Sequence, residues 1–145
     1  MVAAGAIDQI AGMSAPRPPK ILVVDDDHHT RRAIGRLIKF DFPSAVVADA
    51  AEAKTALRMI AAELWDLVIC DMSMPEMSGL EALRDMRLRN ERVPVVIVSC
   101  LAADDYEAAA VAAGACAYVE KDRLPDELPA LVNRFVTALQ VGRRP

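Results

Sequence analysis

Five short apolar runs, separated by segments of helical period, constrain this sequence more than any other feature. They are ILVV (21–24), AVVA (45–48), DLVIC (66–70), PVVIVS (94–99) and ACAYV (115–119). A strand with one wet face alternates polar and apolar side chains. Runs this continuous, mostly rich in Val and Ile, are what strands covered on both faces require. Five such runs, each followed by a segment able to form a covering helix, predict an α/β fold built on a doubly wound parallel sheet.

The intervening segments carry the matching helical stripes. Ala33, Ile34, Leu37 and Ile38 form one, and Ala53, Leu57, Ile60 and Ala61 a second. Leu80, Leu83 and Met86 form a third. The clearest joins Leu128, Leu131, Val132, Phe135, Val136 and Leu139. The segment 106–113 is mostly alanine, so a helix there has little side chain to bury. Boundary residues fit this scheme. Asp49-Ala50-Ala51-Glu52 has the form of a capping box for the second helix. Gly114 stands where a C-terminal glycine cap belongs, and Pro125 suits a first turn. Pro129 deletes a backbone bond four residues later and predicts that the last helix starts in two steps.

The 145 residues suit one domain, expected over 20–141, with a flexible extension at 1–19 and a frayed tail at 142–145. A hydrophobic share of 54% beside 26% charged residues argues for a globular chain. The net charge of -4 argues against nucleic-acid binding by this chain alone and against attraction to anionic membrane. No apolar run reaches the ~18 residues of a membrane span. Three cysteines in apolar settings, without C-x-x-C spacing, point to reduced thiols and a cytoplasmic location.

Ligands of open α/β sheets bind beyond the carboxyl ends of the strands. The first run ends in Asp25, Asp26 and Asp27, the third in Asp71 and the fourth in Ser99, while the fifth leads to Lys121. Carboxylates gathered at one edge repel unless a hard cation joins them, and Mg²⁺ suits oxygen ligands. With a lysine and a hydroxyl nearby, the set describes phosphoryl transfer, in which positioning and charge neutralisation do most of the work. Asp27, at the start of the first helix, reads as a solvated or capping residue. His28 and His29, adjacent on that helix, point in different directions and are expected to face solvent rather than share a metal ion.

Four stretches in order, ILVVDDD, DLVICDMSMPEMSGLEAL, PVVIVS and GACAYVEK, resemble the receiver domain of two-component response regulators from residue 20 to about 140. The second is the most specific, because Asp71, Met74-Pro75 and Gly79 keep the family's spacing. The resemblance implies a flavodoxin-like sheet of order 2-1-3-4-5 with five helices. It implies that Asp71 is the phosphoacceptor and that Asp25, Asp26, Asp71 and the Ser73 backbone carbonyl hold Mg²⁺. Ser99 and Lys121 would bind the phosphoryl group, and Tyr118 would turn inward on activation.

By the same resemblance, the donor is a sensor histidine kinase or a phosphotransfer protein. The output is a protein partner, or a second copy in a homodimer, meeting the face of the fourth helix, fifth strand and fifth helix. The chain would not be an enzyme beyond slow self-catalysed phosphotransfer and autodephosphorylation. Asp122 follows Lys121 where proline is usual, which is most similar to receivers of LuxR-type regulators, yet no DNA-binding output domain is visible in these residues. A receiver-like scaffold without phosphotransfer is the alternative. An aspartate-nucleophile phosphatase is disfavoured, since it wants a second aspartate at position 73, which is Ser.

Overall fold

The computed structural model describes residues 17–142, with side chains to Val136. Five strands alternate with five helices: β1 (Lys20–Val24), α1 (His28–Asp41), β2 (Val46–Ala50), α2 (Ala53–Ala62), β3 (Leu67–Asp71), α3 (Gly79–Leu88), β4 (Val95–Ser99), α4 (Ala103–Ala112), β5 (Ala117–Glu120) and α5 (Leu124–Gly142). All strand pairs are parallel, in the order β2-β1-β3-β4-β5. The expected fold class is therefore the observed one.

Strand alternation sorts the apolar side chains into two cores. Ile21, Val23, Leu67, Ile69, Val96, Val98 and Val119 point to one face, where Ile34 and Ile38 of α1 and Leu128 and Val132 of α5 cover them. Leu22, Val24, Val68, Cys70 and Ile97 point to the other, under Leu57 and Ile60 of α2 and Leu83 and Met86 of α3. The expected stripes hold with small shifts. Ala33 and Ala61 face solvent, and Ala56 is buried in the α2 stripe instead. In α4 only Ala110 is buried. Leu139 and the tail at 143–145 lie outside the described side chains and residues.

Two boundary expectations are overturned. Asp49 caps nothing, because β2 runs on through Ala50 and α2 begins at Ala53 with no side-chain cap. The edge position of β2 explains this. One side of that strand meets water, so polar Asp49 fits inside it. The last helix does not break at Pro129, which lies within continuous α5. The step comes earlier, as a 3₁₀ turn over Lys121–Arg123. Gly114 does close the α4 end as expected, with φ of 109° and its N–H on the Val111 carbonyl.

Of the expected N-terminal extension, residues 1–16 lie outside the description, and Arg17 is docked. Its guanidinium makes paired bonds of 2.8 and 2.6 Å to Asp66, which also accepts the Lys20 N–H at 2.8 Å.

Candidate phosphoryl and cation site

The parallel register places the polar residues before any side chain is considered. Val24 pairs with Cys70, and Asp71 with Val98. Asp25, the residue after β1, therefore stands level with Asp71, while Ser99 pairs with Glu120 just before Lys121. Four chain segments thus deliver their end residues to one edge.

There, one carboxylate oxygen from each of Asp25, Asp26 and Asp71 lies within 4.8 Å of the others. Asp25 and Asp71 are buried and Asp26 is exposed. Lys121 Nζ reaches over them, 3.1 Å from Asp25 Oδ2 and 3.4 Å from Asp71 Oδ1. Asp25 Oδ1 accepts the Asp27 N–H at 2.8 Å. Its Oδ2 is buried, with the Lys121 ion pair as its one polar contact among the described residues. A buried carboxylate oxygen left so exposes a demand for a further cation. Three oxygen ligands around it match the chemistry of a hard divalent ion.

Electrostatics report the same crowding. Burial, and then the neighbouring Asp25 charge, push the Asp71 carboxyl up to about 6, with Lys121 and the Ser73 N–H acting the other way. Burial by itself would lower the Lys121 ammonium, but Asp25 and Asp71 outweigh it and hold its pKa above the usual value. Cys70, beneath the site, is pushed up to about 12 by burial and then by Asp71 and Asp25, so its thiol is inert.

The loop after β3 is held from both ends. The Ser73 N–H donates to Asp71 Oδ1 at 3.3 Å. The Gly79 N–H donates to the Met72 carbonyl at 2.8 Å and brings the start of α3 against the strand end. Met72, Met74 and Met77 pack into the core beneath, as filling. Among the described residues, Asp71 Oδ2 has no hydrogen-bond partner, so it is the oxygen open toward the outside.

Ser99 is fully buried, and its Oγ accepts the Leu101 N–H at 3.0 Å. Tyr118 is the ring that the resemblance expects to turn inward on activation. It is already buried, with its hydroxyl donating to the Leu101 carbonyl at 2.8 Å. Strand alternation turns Tyr118 into the core that holds Ala110 of α4, while Val119 faces the other core.

Asp27 caps α1, accepting from the His29 N–H at 3.2 Å and the Thr30 hydroxyl at 2.8 Å. His28 and His29 are exposed, and neither belongs to the acidic cluster. Sequence reasoning passed over Arg31, whose guanidinium reaches Asp49 and the Asp25 carbonyl at 2.8 Å each. Its position one turn into the helix that follows the acidic pair was the available signal.

The family model described as "Response regulator receiver domain" matches residues 21–133. The chain is 35% identical over 115 residues to the regulatory protein AtoC of Escherichia coli, covering 79% of this chain and 24% of that protein. It spans about a quarter to a half of the curated relatives first matched. The receiver domain of Francisella response regulator 1452 superposes with a TM-score of 0.77 at 28% identity, over 83% of this chain and 98% of that one. A LuxR-family DNA-binding response regulator from Staphylococcus aureus gives 0.73 at 29% identity, over 81% and 98%.

Proposed function

The chain belongs to the response regulator receiver domain family, and from that premise we propose that it accepts a phosphoryl group on Asp71 from a phosphohistidine and thereby switches a protein-binding surface. The observation that carries the proposal is the meeting of Asp71 with Asp25, Asp26 and Lys121 at one strand edge. In the transfer, Asp71 Oδ2 attacks phosphorus, the new O–P bond forms, and the N–P bond to the donor imidazole breaks. The leaving imidazole takes its proton from solvent. A carboxyl that titrates near 6 is mostly ionised at neutral pH, as a nucleophile must be.

Asp25, Asp26 and Asp71, with the Ser73 carbonyl, would hold Mg²⁺. The ion would supply charge neutralisation to the phosphoryl oxygens. Lys121 exchanges its ion pair with Asp71 for one with the incoming phosphoryl group. Ser99 Oγ accepts the Leu101 N–H and keeps its own proton to donate to that group. The Leu101 backbone also holds the Tyr118 hydroxyl, so a shift of Ser99 toward the phosphoryl group would pass through Leu101 to β5. Tyr118 therefore acts as a buried anchor whose carbonyl partner shifts. The thin packing of α4 makes it the element ready to follow. The donor would be a sensor histidine kinase or phosphotransfer protein, and the reader a protein or a second copy at the face of α4, β5 and α5. Three free thiols support a cytoplasmic setting. Its own catalysis would be limited to slow self-catalysed phosphotransfer and autodephosphorylation.

Incubation with Mg²⁺ and acetyl phosphate, followed by intact mass, tests this. A single addition of about 80 Da is expected, lost in Asp71→Ala and on chelation of the metal. No addition from either acetyl phosphate or a phosphorylated kinase would favour a scaffold. Lys121→Met should slow the uptake by about 100-fold, the usual effect of removing one charged donor from a transferring group. An unchanged rate would remove Lys121 from the mechanism.

A further inference from the structure

Arg31 is a half-buried guanidinium joining three pieces of chain. Its Nε donates to Asp49 Oδ2 on the edge strand, and its Nη1 donates to the Asp25 carbonyl, both at 2.8 Å. Its Nη2 stands 3.5 Å from His28 Nδ1 in the first turn of α1. The Asp25 carbonyl is the point where β1 runs out of partners. Asp25 still gives its N–H to the Ala50 carbonyl, but the ladder ends at Val24 and Ala50. Arg31 supplies the donor that the strand lacks. Because a peptide group is planar, fixing the Asp25 carbonyl also fixes the Asp26 nitrogen. Those atoms set the directions from which both carboxylates project.

We infer that Arg31 is a positioning residue for the cation-binding carboxylates, acting through the Asp25 carbonyl, and that Asp49 holds and offsets its charge. This rests on the reading that Asp25, Asp26 and Asp71 hold a divalent cation. Charge alone argues the opposite way: a cationic side chain beside a cation site repels the ion, so its removal should tighten binding. Positioning predicts that removal weakens binding, as loss of supporting contacts around metal ligands generally does. The two effects differ in sign, which makes them separable.

The full chain is titrated with Mg²⁺ alone by calorimetry at fixed ionic strength, with urea unfolding of each variant in parallel. Arg31→Met is expected to weaken Mg²⁺ binding about tenfold or more. Arg31→Lys, which can reach one acceptor but not both, should fall between. Asp49→Asn should weaken binding by a smaller factor, and by none in the Arg31→Met background, since both act through one contact. Arg31→Lys and Asp49→Asn keep the question open to measurement should Arg31→Met fold poorly. Binding that is tighter or unchanged in folded Arg31 variants would overturn the inference. So would a loss of stability with Mg²⁺ affinity unmoved, which is what a purely structural bond would give. A wild-type chain that binds no Mg²⁺ would overturn the cation reading itself, and the inference with it.

Discussion

Asp71→Asn should be more stable than the wild type at pH 7.5 without metal, by on the order of 1–2 kcal/mol, and the gap should close toward pH 4.5. The sign comes from the raised carboxyl. Asp71 titrates near 6 in the folded chain against an ordinary 3.8, so the folded state binds its proton more tightly than the unfolded state. That contribution to stability is fully present below the ordinary value and is lost as pH rises through about 6. At pH 7.5 the folded chain bears the ionised form beside Asp25, with Lys121 to share between them. Asparagine keeps the shape and removes one charge. Added Mg²⁺ should reverse the order by stabilising the wild type more. Urea unfolding at the two pH values measures this. A variant less stable at pH 7.5, or a gap independent of pH, would refute the charge crowding ascribed to the site.

The second large effect is expected at Gly79. A Cβ placed there would lie 2.3 Å from the Asp71 carbonyl oxygen and 2.9 Å from Met72 Cα. Both are backbone atoms of the strand end that carries the phosphoacceptor, so no flexible side chain can give way. Gly79→Ala must push α3 outward or displace Asp71. We expect a loss of roughly 2–3 kcal/mol and, from a misplaced nucleophile, uptake slower by about 100-fold. Gly35→Ala provides the contrast. It lies inside α1, where a Cβ would meet only Val47 Cγ1 at 3.8 Å. Relief of helix glycine there should be neutral or stabilising by up to about 1 kcal/mol. Equal effects at the two glycines would contradict the close approach at Gly79.

The sheet was legible because buried parallel strands leave unbroken apolar runs, and β1, β3 and β4 lie within or beside the runs that announced them. The site was legible for a related reason: the residues just past each run must sit at the sheet's edge, so Asp25, Asp71, Ser99 and Lys121 could be gathered from spacing alone. The edge strand was harder. Asp49 carries a capping pattern, yet its carboxylate belongs to Arg31, eighteen positions earlier in the chain. Such a pair is visible only once α1 has been laid across β2. Tyr118 could be placed by its position before Lys121, but its burial in one cluster with Ala110 of α4 exists only in three dimensions. Gly79 could be noted for its spacing, but the contact that requires glycine exists only in three dimensions.

The atom that receives the phosphoryl group can be identified chemically. Borohydride reduces an acyl phosphate to an alcohol, so a phosphorylated aspartate becomes homoserine at its own place in the chain, where peptide mass mapping can read it. After loading with acetyl phosphate and Mg²⁺, homoserine is expected at the position of Asp71 and nowhere else. Homoserine at Asp25 or Asp26, or none in a chain that has gained the phosphoryl mass, would contradict the assignment.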